Sequence, residues 1–174
     1  MNPYEKCPVV KTKSFTLRLV EMSDSEALFH CYYEQKAVSL MNDDNCDFGF
    51  YVQTEEKMAE TIGYWIKFYE QKYFIRFAIV DNASGKAVGT MEGFGGETGV
   101  LRVDIRTEYE TAEYLSELFD FAKEHFYEYF GNQILVTKAI AVAEERRKAL
   151  VDCGWEFIDK YKNYHDYYQL TLSC

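Results

Sequence analysis

A chain of 174 residues in which 48% are hydrophobic, with 15 Tyr, 13 Phe and 2 Trp, can core one well-packed domain and is too apolar to be disordered. Its formal net charge of −10 argues against nucleic acid or anionic lipid as partners, because both call for basic patches; if the charge serves binding it favours a cationic partner such as an amine, and otherwise it only aids solubility. No run approaches the roughly 18 apolar residues of a membrane helix, and MNPYEKCPVVKTKSF lacks the apolar core of a leader, so a soluble cytoplasmic protein is expected.

Residues 1–13 read as a tail of one domain spanning 1–174. SFTLRLVEM (14–22) alternates apolar and polar residues at period two and reads as a strand. Ser23 and Glu26 have capping-box spacing and open a helix to about Tyr33. NDDNCDFGF (42–50) is a polar loop. Thr54 caps a second helix running to about Lys72, with Met58, Ile62, Trp65, Ile66 and Tyr69 on one face. FIRFAIVD (74–81), the turn NASGK and AVGTMEGF (87–94) form a hairpin, and GVLRVDIR (99–106) extends it to a meander.

The helix 110–130 carries Leu115, Leu118, Phe119, Ala122 and Phe126 on one face. Strand 133–140, helix 143–153, and strands 154–161 and 166–173 complete the chain. The order is β-α-α-β-β-β-α-β-α-β-β, an α+β fold with a mixed, mostly antiparallel sheet of about seven strands flanked by about four helices. The unit 99–140 should be a right-handed parallel crossover whose strands lie adjacent or splayed.

Cys7, Cys31, Cys46, Cys153 and Cys174 form no CxxC pair and read as free thiols in a reducing compartment. His30, His125 and His165 are scattered, so no metal site is expected. Loop 42–50 does not match a calcium loop.

Four segments, in this order and spacing, resemble the GNAT N-acetyltransferase superfamily, particularly its ribosomal-protein and polyamine acetyltransferase branch. They are TLRLVEMSDSEALF, FAIVDNASGKAVGTMEGF, LSELFDFAKEHF and RRKALVDCGWEFI. The resemblance covers residues 15–160 and implies transfer of an acetyl group from acetyl-CoA to a primary amine of a cationic small molecule or a protein N-terminus. It also implies that the backbone of Leu101, Val103 and Ile105 pairs with the pantetheine arm, and that Arg106, Thr107, Thr111 and Ala112 meet the pyrophosphate.

That family's loop is glycine-rich, because glycines let N–H groups approach an anion at a helix N-terminus. Here RTEY leads directly into ETAEYL, as if the glycine-rich segment were deleted, and Glu108 and Glu110 would repel a pyrophosphate. Glu110 and Glu113 also suit a helix N-terminus on their own account. The family's asparagine, tyrosine and strand carboxylate fall on Ala143, Leu150 and Lys138.

The remaining catalytic candidates are Glu92 as base, Asp104, and the phenol of Tyr109. Asp104 shares a strand face with Arg102 and Arg106, which also suits a surface ion pair. Cys153 reads as a packed thiol. Asp43, Asp44 and Asp47, in the loop where related enzymes admit substrate, would attract an ammonium group. Tyr164, in the aromatic cluster 161–168, would line the substrate pocket or a homodimer contact. The competing expectation is a GNAT-fold binding or interaction protein that does not use acetyl-CoA.

Overall fold

The computed structural model describes residues 2–46 and 49–172. Asp47 and Cys174 therefore lie outside the described residues. The elements are β1 (Val10–Lys11), β2 (Phe15–Leu19), α1 (Ser25–Tyr33), α2 (Gln35–Val38), α3 (Glu55–Glu70), β3 (Ile75–Asp81), β4 (Ala87–Gly93), β5 (Thr98–Val100) and β6 (Arg102–Ile105). They are followed by α4 (Ala112–Phe130), β7 (Ile134–Lys138), α5 (Glu144–Asp152), β8 (Glu156–Tyr161) and β9 (Tyr164–Thr171).

All seven expected strands are present, but the expected single sheet is two. One has the order β1-β2-β3-β4-β6 and the other β5-β7-β9-β8. The division falls at Leu101, where the expected strand 99–106 breaks. Its first part, β5, runs parallel to β7, while its second, β6, pairs antiparallel with β4. The crossover through α4 thus joins strands that touch at β5 and diverge at β6. The expected tail contributes β1, paired with β2 through Val10 and Leu17.

Period-two alternation gives the five-stranded sheet two different faces. Phe77, Ile79, Met91, Val103 and Ile105 pack against Leu115, Leu118, Phe119, Ala122 and Phe126 of α4 in one core. Ala78 and Val80 point the other way and pack with Leu28, Met58, Ile62 and Trp65 of α1 and α3. Gly89 lets β4 and β6 come together, since a Cβ there would lie 2.1 Å from the Asp104 carbonyl oxygen.

Helix starts follow side-chain chemistry. Thr54 Oγ1 accepts from the Lys57 N–H and Thr111 Oγ1 from the Tyr114 N–H, caps worth about 1 kcal/mol each. At the first helix the expected Ser23–Glu26 box is displaced. A 3-10 turn, Met22–Asp24, comes first and is boxed by Glu21 and Asp24. Asp24 wins because its carboxylate also pairs with Arg18 at 2.7 Å and is buried. The last turn of α4 closes at Gly131 with φ 71°. No helix among the described residues is long and apolar enough to cross a membrane.

Candidate functional site

The face of β3, β4 and β6 that looks toward α1 and α3 carries a row of charges. Strand register sets Arg76 opposite Glu92, and Glu92 opposite Arg102. Glu92 Oε2 accepts from Arg76 Nη2 at 2.7 Å, and Glu92 Oε1 from Arg102 Nη1 at 2.6 Å. Glu92 is buried, and each of its oxygens accepts a hydrogen bond.

One register step along, Asp104 lies opposite Thr90. Its Oδ2 accepts from the Tyr32 hydroxyl at 2.7 Å and from Arg76 Nη1 at 3.1 Å, while Oδ1 has no partner. The expected surface pair of Asp104 with Arg102 and Arg106 is not formed, because this face is covered by α1 and Asp104 is 0% exposed. Burial pushes the Asp104 carboxyl up, and the Arg76 charge and the Tyr32 hydroxyl only partly offset it. Burial pulls the Arg76 guanidinium down, but Glu92, Tyr32 and Asp104 more than reverse that.

Above this row lies a cavity of about 410 Å³. Arg76, Glu92 and Arg102 form its floor, while α3 supplies Tyr64 and Trp65 and the chain leading into α3 supplies Phe50 and Tyr51. The Arg76 guanidinium stacks over Trp65 at 4.6 Å from the ring centroid.

The acidic loop takes a different role from the expected one. The Asp44 carboxylate accepts from Lys138 Nζ at 2.9 Å and from the Tyr167 hydroxyl at 3.0 Å, and Arg102 donates to the carbonyls of Asn42 and Asp44. Asp44 therefore braces β6 against β7 and β9. Asp43 is exposed, and the Tyr164 hydroxyl donates to Asn45 Oδ1. None of Asp43, Asp44 and Tyr164 lines the cavity, although Asn45 and Cys46 do.

The expected cofactor positions divide into two groups. Along β6, Leu101 spends its N–H on the Val136 carbonyl and its carbonyl on Thr137 Oγ1. Arg106 donates to Val88 across β4. The alternation of an antiparallel ladder then turns the backbone groups of Val103 and Ile105 toward β7, where no strand among the described residues pairs with them. That edge fits an extended arm.

The loop after β6 does not fit a pyrophosphate. Glu34 Oε2 accepts from the Thr107 N–H at 3.0 Å, and Glu145 Oε2 from the Ala112 N–H at 2.7 Å. The N–H groups of Tyr109, Glu110 and Thr111 turn back onto Arg106, Thr107 and Tyr109. Behind them Glu110 takes a bidentate pair from Arg146 at 2.7 and 2.8 Å, with Arg146 buried. Carboxylates thus hold the amides an anion would use. Glu108, by contrast, is exposed and pairs with Arg106.

Tyr109 is not brought to the charged row. Its ring packs with Phe15 and Tyr114 in the α4 core, on the opposite sheet face. Ala143 and Leu150 are buried core residues. Cys153 donates to the Ser116 carbonyl, and burial raises its thiol. Among the described residues no group of His, Cys, Asp and Glu could hold a metal ion.

Sequence reasoning missed Arg76, Tyr32, Arg146, Glu34 and Glu145. Arg76 had a signal: a charge inside the otherwise apolar run FIRFAIV requires a buried partner, and counting across the hairpin reaches Glu92.

No protein-family model matches the chain, and no curated protein does. Solved structures do. A GNAT-family acetyltransferase from Bacillus anthracis is 15% identical with TM-score 0.70, over 94% of this chain and 98% of that one. An acetyltransferase from Salmonella typhimurium that modifies the N-terminal serine of a 50S ribosomal-subunit protein is 11% identical with TM-score 0.72, over 95% and 100%. Spermidine N-acetyltransferase from Vibrio cholerae, in complex with CoA and spermine, is 12% identical with TM-score 0.68, over 92% and 96%. With the divergent strands, the unpaired β6 edge and the crossover through α4, these likenesses establish that the chain has the GNAT acetyltransferase fold.

Proposed function

We propose that this chain is an N-acyltransferase of the GNAT type, acting on an amine-bearing small molecule or protein N-terminus with an acyl-CoA as donor. The observation that carries this reading is the double role of β6. From one face it places Arg102 in the cavity floor, and from its edge it presents the unpaired backbone of Val103 and Ile105. A donor arm along that edge would meet an acceptor held above Arg76, Glu92 and Arg102. When bound, the CoA thioester supplies the activated acyl group. The chain's own contribution is to bind and orient the acceptor between aromatic walls and to shield it from water. Both Glu92 oxygens accept from guanidiniums, one from Arg76 and one from Arg102.

The second reading is a ligand-binding protein that does not use acetyl-CoA. It is favoured by one observation, the occupation of the loop amides by Glu34 and Glu145.

Titration of CoA and acetyl-CoA to about 1 mM, followed by thermal melting and calorimetry, separates the readings, since a ligand of the native state must raise the melting temperature. A rise in melting temperature, with CoA release when amines are added, supports acyl transfer. A flat melt with no heat leaves only the binding protein.

A further inference from the structure

The chain carries a net charge of −10, yet its 410 Å³ cavity is lined, among the described residues, by Lys57, Arg76 and Arg102 against Glu92. Glu60 offsets Lys57 and Asp104 offsets Arg76 from outside the lining, so what sets this cleft apart from the acidic surface is the pair of guanidiniums that line it. We propose that the cavity binds a carboxylate with a ring-sized apolar body, its head on the Arg76 and Arg102 guanidiniums and its body between Tyr64, Phe50 and Tyr51.

The donor inventory supports the head group. Arg76 is 4% exposed and its Nε has no acceptor. Its Nη2 gives one of two hydrogens to Glu92. Arg102 Nη1 likewise gives one to Glu92. Asp104 takes Arg76 Nη1, and the Asn42 and Asp44 carbonyls take Arg102 Nε and Nη2; Glu92 is the carboxylate that both guanidiniums share, and a second carboxylate would engage their remaining hydrogens in charge-assisted hydrogen bonds. An ammonium group finds the opposite: both Glu92 oxygens are engaged and the cations face it. The Trp65 ring, which could otherwise cradle a cation, already carries Arg76.

The walls support the body. The cavity's volume falls within the range of roughly 300–1,000 Å³ typical of small-ligand sites, where apolar walls surround a few convergent polar groups. This inference deepens the acceptor half of the proposed function, since an acceptor of that reaction would carry its amine and its carboxylate on one molecule. It concerns binding alone, and its test contains no CoA. Failure here leaves the donor titration untouched, and failure there leaves this one.

The probes are a matched set: 3-phenylpropionate, its neutral amide 3-phenylpropionamide, and 3-phenylpropylamine, each titrated by calorimetry. The acid is expected to bind with a dissociation constant below about 1 mM and the amide at least about tenfold more weakly. Thr61→Trp, a cavity-lining change on the partly exposed side of α3, should fill the space, abolish binding of the acid and leave the melting temperature of the free protein within about 3 °C. The inference is overturned if the amide matches the acid, if the amine binds more tightly, if the acid gives no heat up to about 10 mM, or if Thr61→Trp binds the acid unchanged.

Discussion

Glu145 Oε2 accepts a hydrogen bond from the Ala112 N–H at 2.7 Å, so that a carboxylate from α5 occupies the N-terminus of α4. That position combines free N–H groups with the positive end of the helix dipole, and an acidic side chain satisfies both. Glu34, half-buried, accepts from the Thr107 N–H at the start of a three-residue 3-10 turn. Replacing both by alanine should cost a few tenths to about 1 kcal/mol at the exposed Glu145 and about 1–3 kcal/mol at Glu34, where a part-buried donor loses its partner. It should also free two amides and remove two negative charges from the loop, tightening CoA at least about fivefold in calorimetry. Unchanged affinity would show that these carboxylates are not what keeps the anion out.

Arg146 and Glu110 close the same loop from behind. Their side chains are 3% and 7% exposed, and they meet through two parallel N–H to O contacts. Removing one partner strands the other charge without solvent, which typically costs about 3–5 kcal/mol, whereas replacing both by apolar residues of similar volume is often near neutral. Arg146→Met and Glu110→Leu should therefore each be strongly destabilising in urea unfolding, and the double variant should be more stable than either. If the double variant equals the sum of the singles, the pair is not coupled.

The fold was legible where apolar period and capping residues agree. Thr54 and the stripe Met58, Ile62 and Trp65 gave α3 its start and buried face. The strand break at Leu101 was not: the adjacent apolar pair Val100 and Leu101 interrupts the alternation of GVLRVDIR there, but one such step does not reveal that β5 pairs with β7 while β6 pairs with β4. At the site, the sequence offered Glu92 and Asp104 as catalytic candidates and showed the junction after Arg106 to lack a glycine cradle. It could not show that Glu34 and Glu145, far away in the chain, supply the carboxylates that close the junction. Nor could it show that Asp44 turns from the cavity to Lys138 and Tyr167. Those partners are set by tertiary packing, which no local pattern encodes.

Asp104 gives the protein a pH dependence of definite sign. Burial raises its carboxyl above the ordinary 3.8; Arg76, Tyr32 and Arg146 oppose the rise, and Glu92 adds to it. The folded state then binds a proton that the unfolded state has released. This contribution is fully present below 3.8 and is lost as pH rises through the folded-state value. Measured by urea unfolding from pH about 4 to about 8, the stability of the wild type relative to Asp104→Asn should fall with rising pH. A difference that grows with pH would mean that the Arg76 pair outweighs burial.

Gly89 and Gly93 both lie on β4, and a Cβ at either meets something, but not the same kind of obstacle. At Gly89 it would lie 2.1 Å from the Asp104 carbonyl oxygen and 2.8 Å from the Ile105 Cα, both backbone atoms of the paired strand. At Gly93 it would lie 2.5 Å from the Phe130 ring, which belongs to a side chain at the end of α4. A ring can swing aside, whereas a strand moves only by giving up its ladder. Gly93→Ala should cost about 1–3 kcal/mol, in the usual range for overpacking, and Gly89→Ala more than that. Pushing β6 away at Gly89 also displaces Asp104 and Arg102, so any ligand of the cavity should lose affinity in Gly89→Ala and keep it in Gly93→Ala. Equal losses of stability in urea would place the tolerance in the strands rather than in the rings.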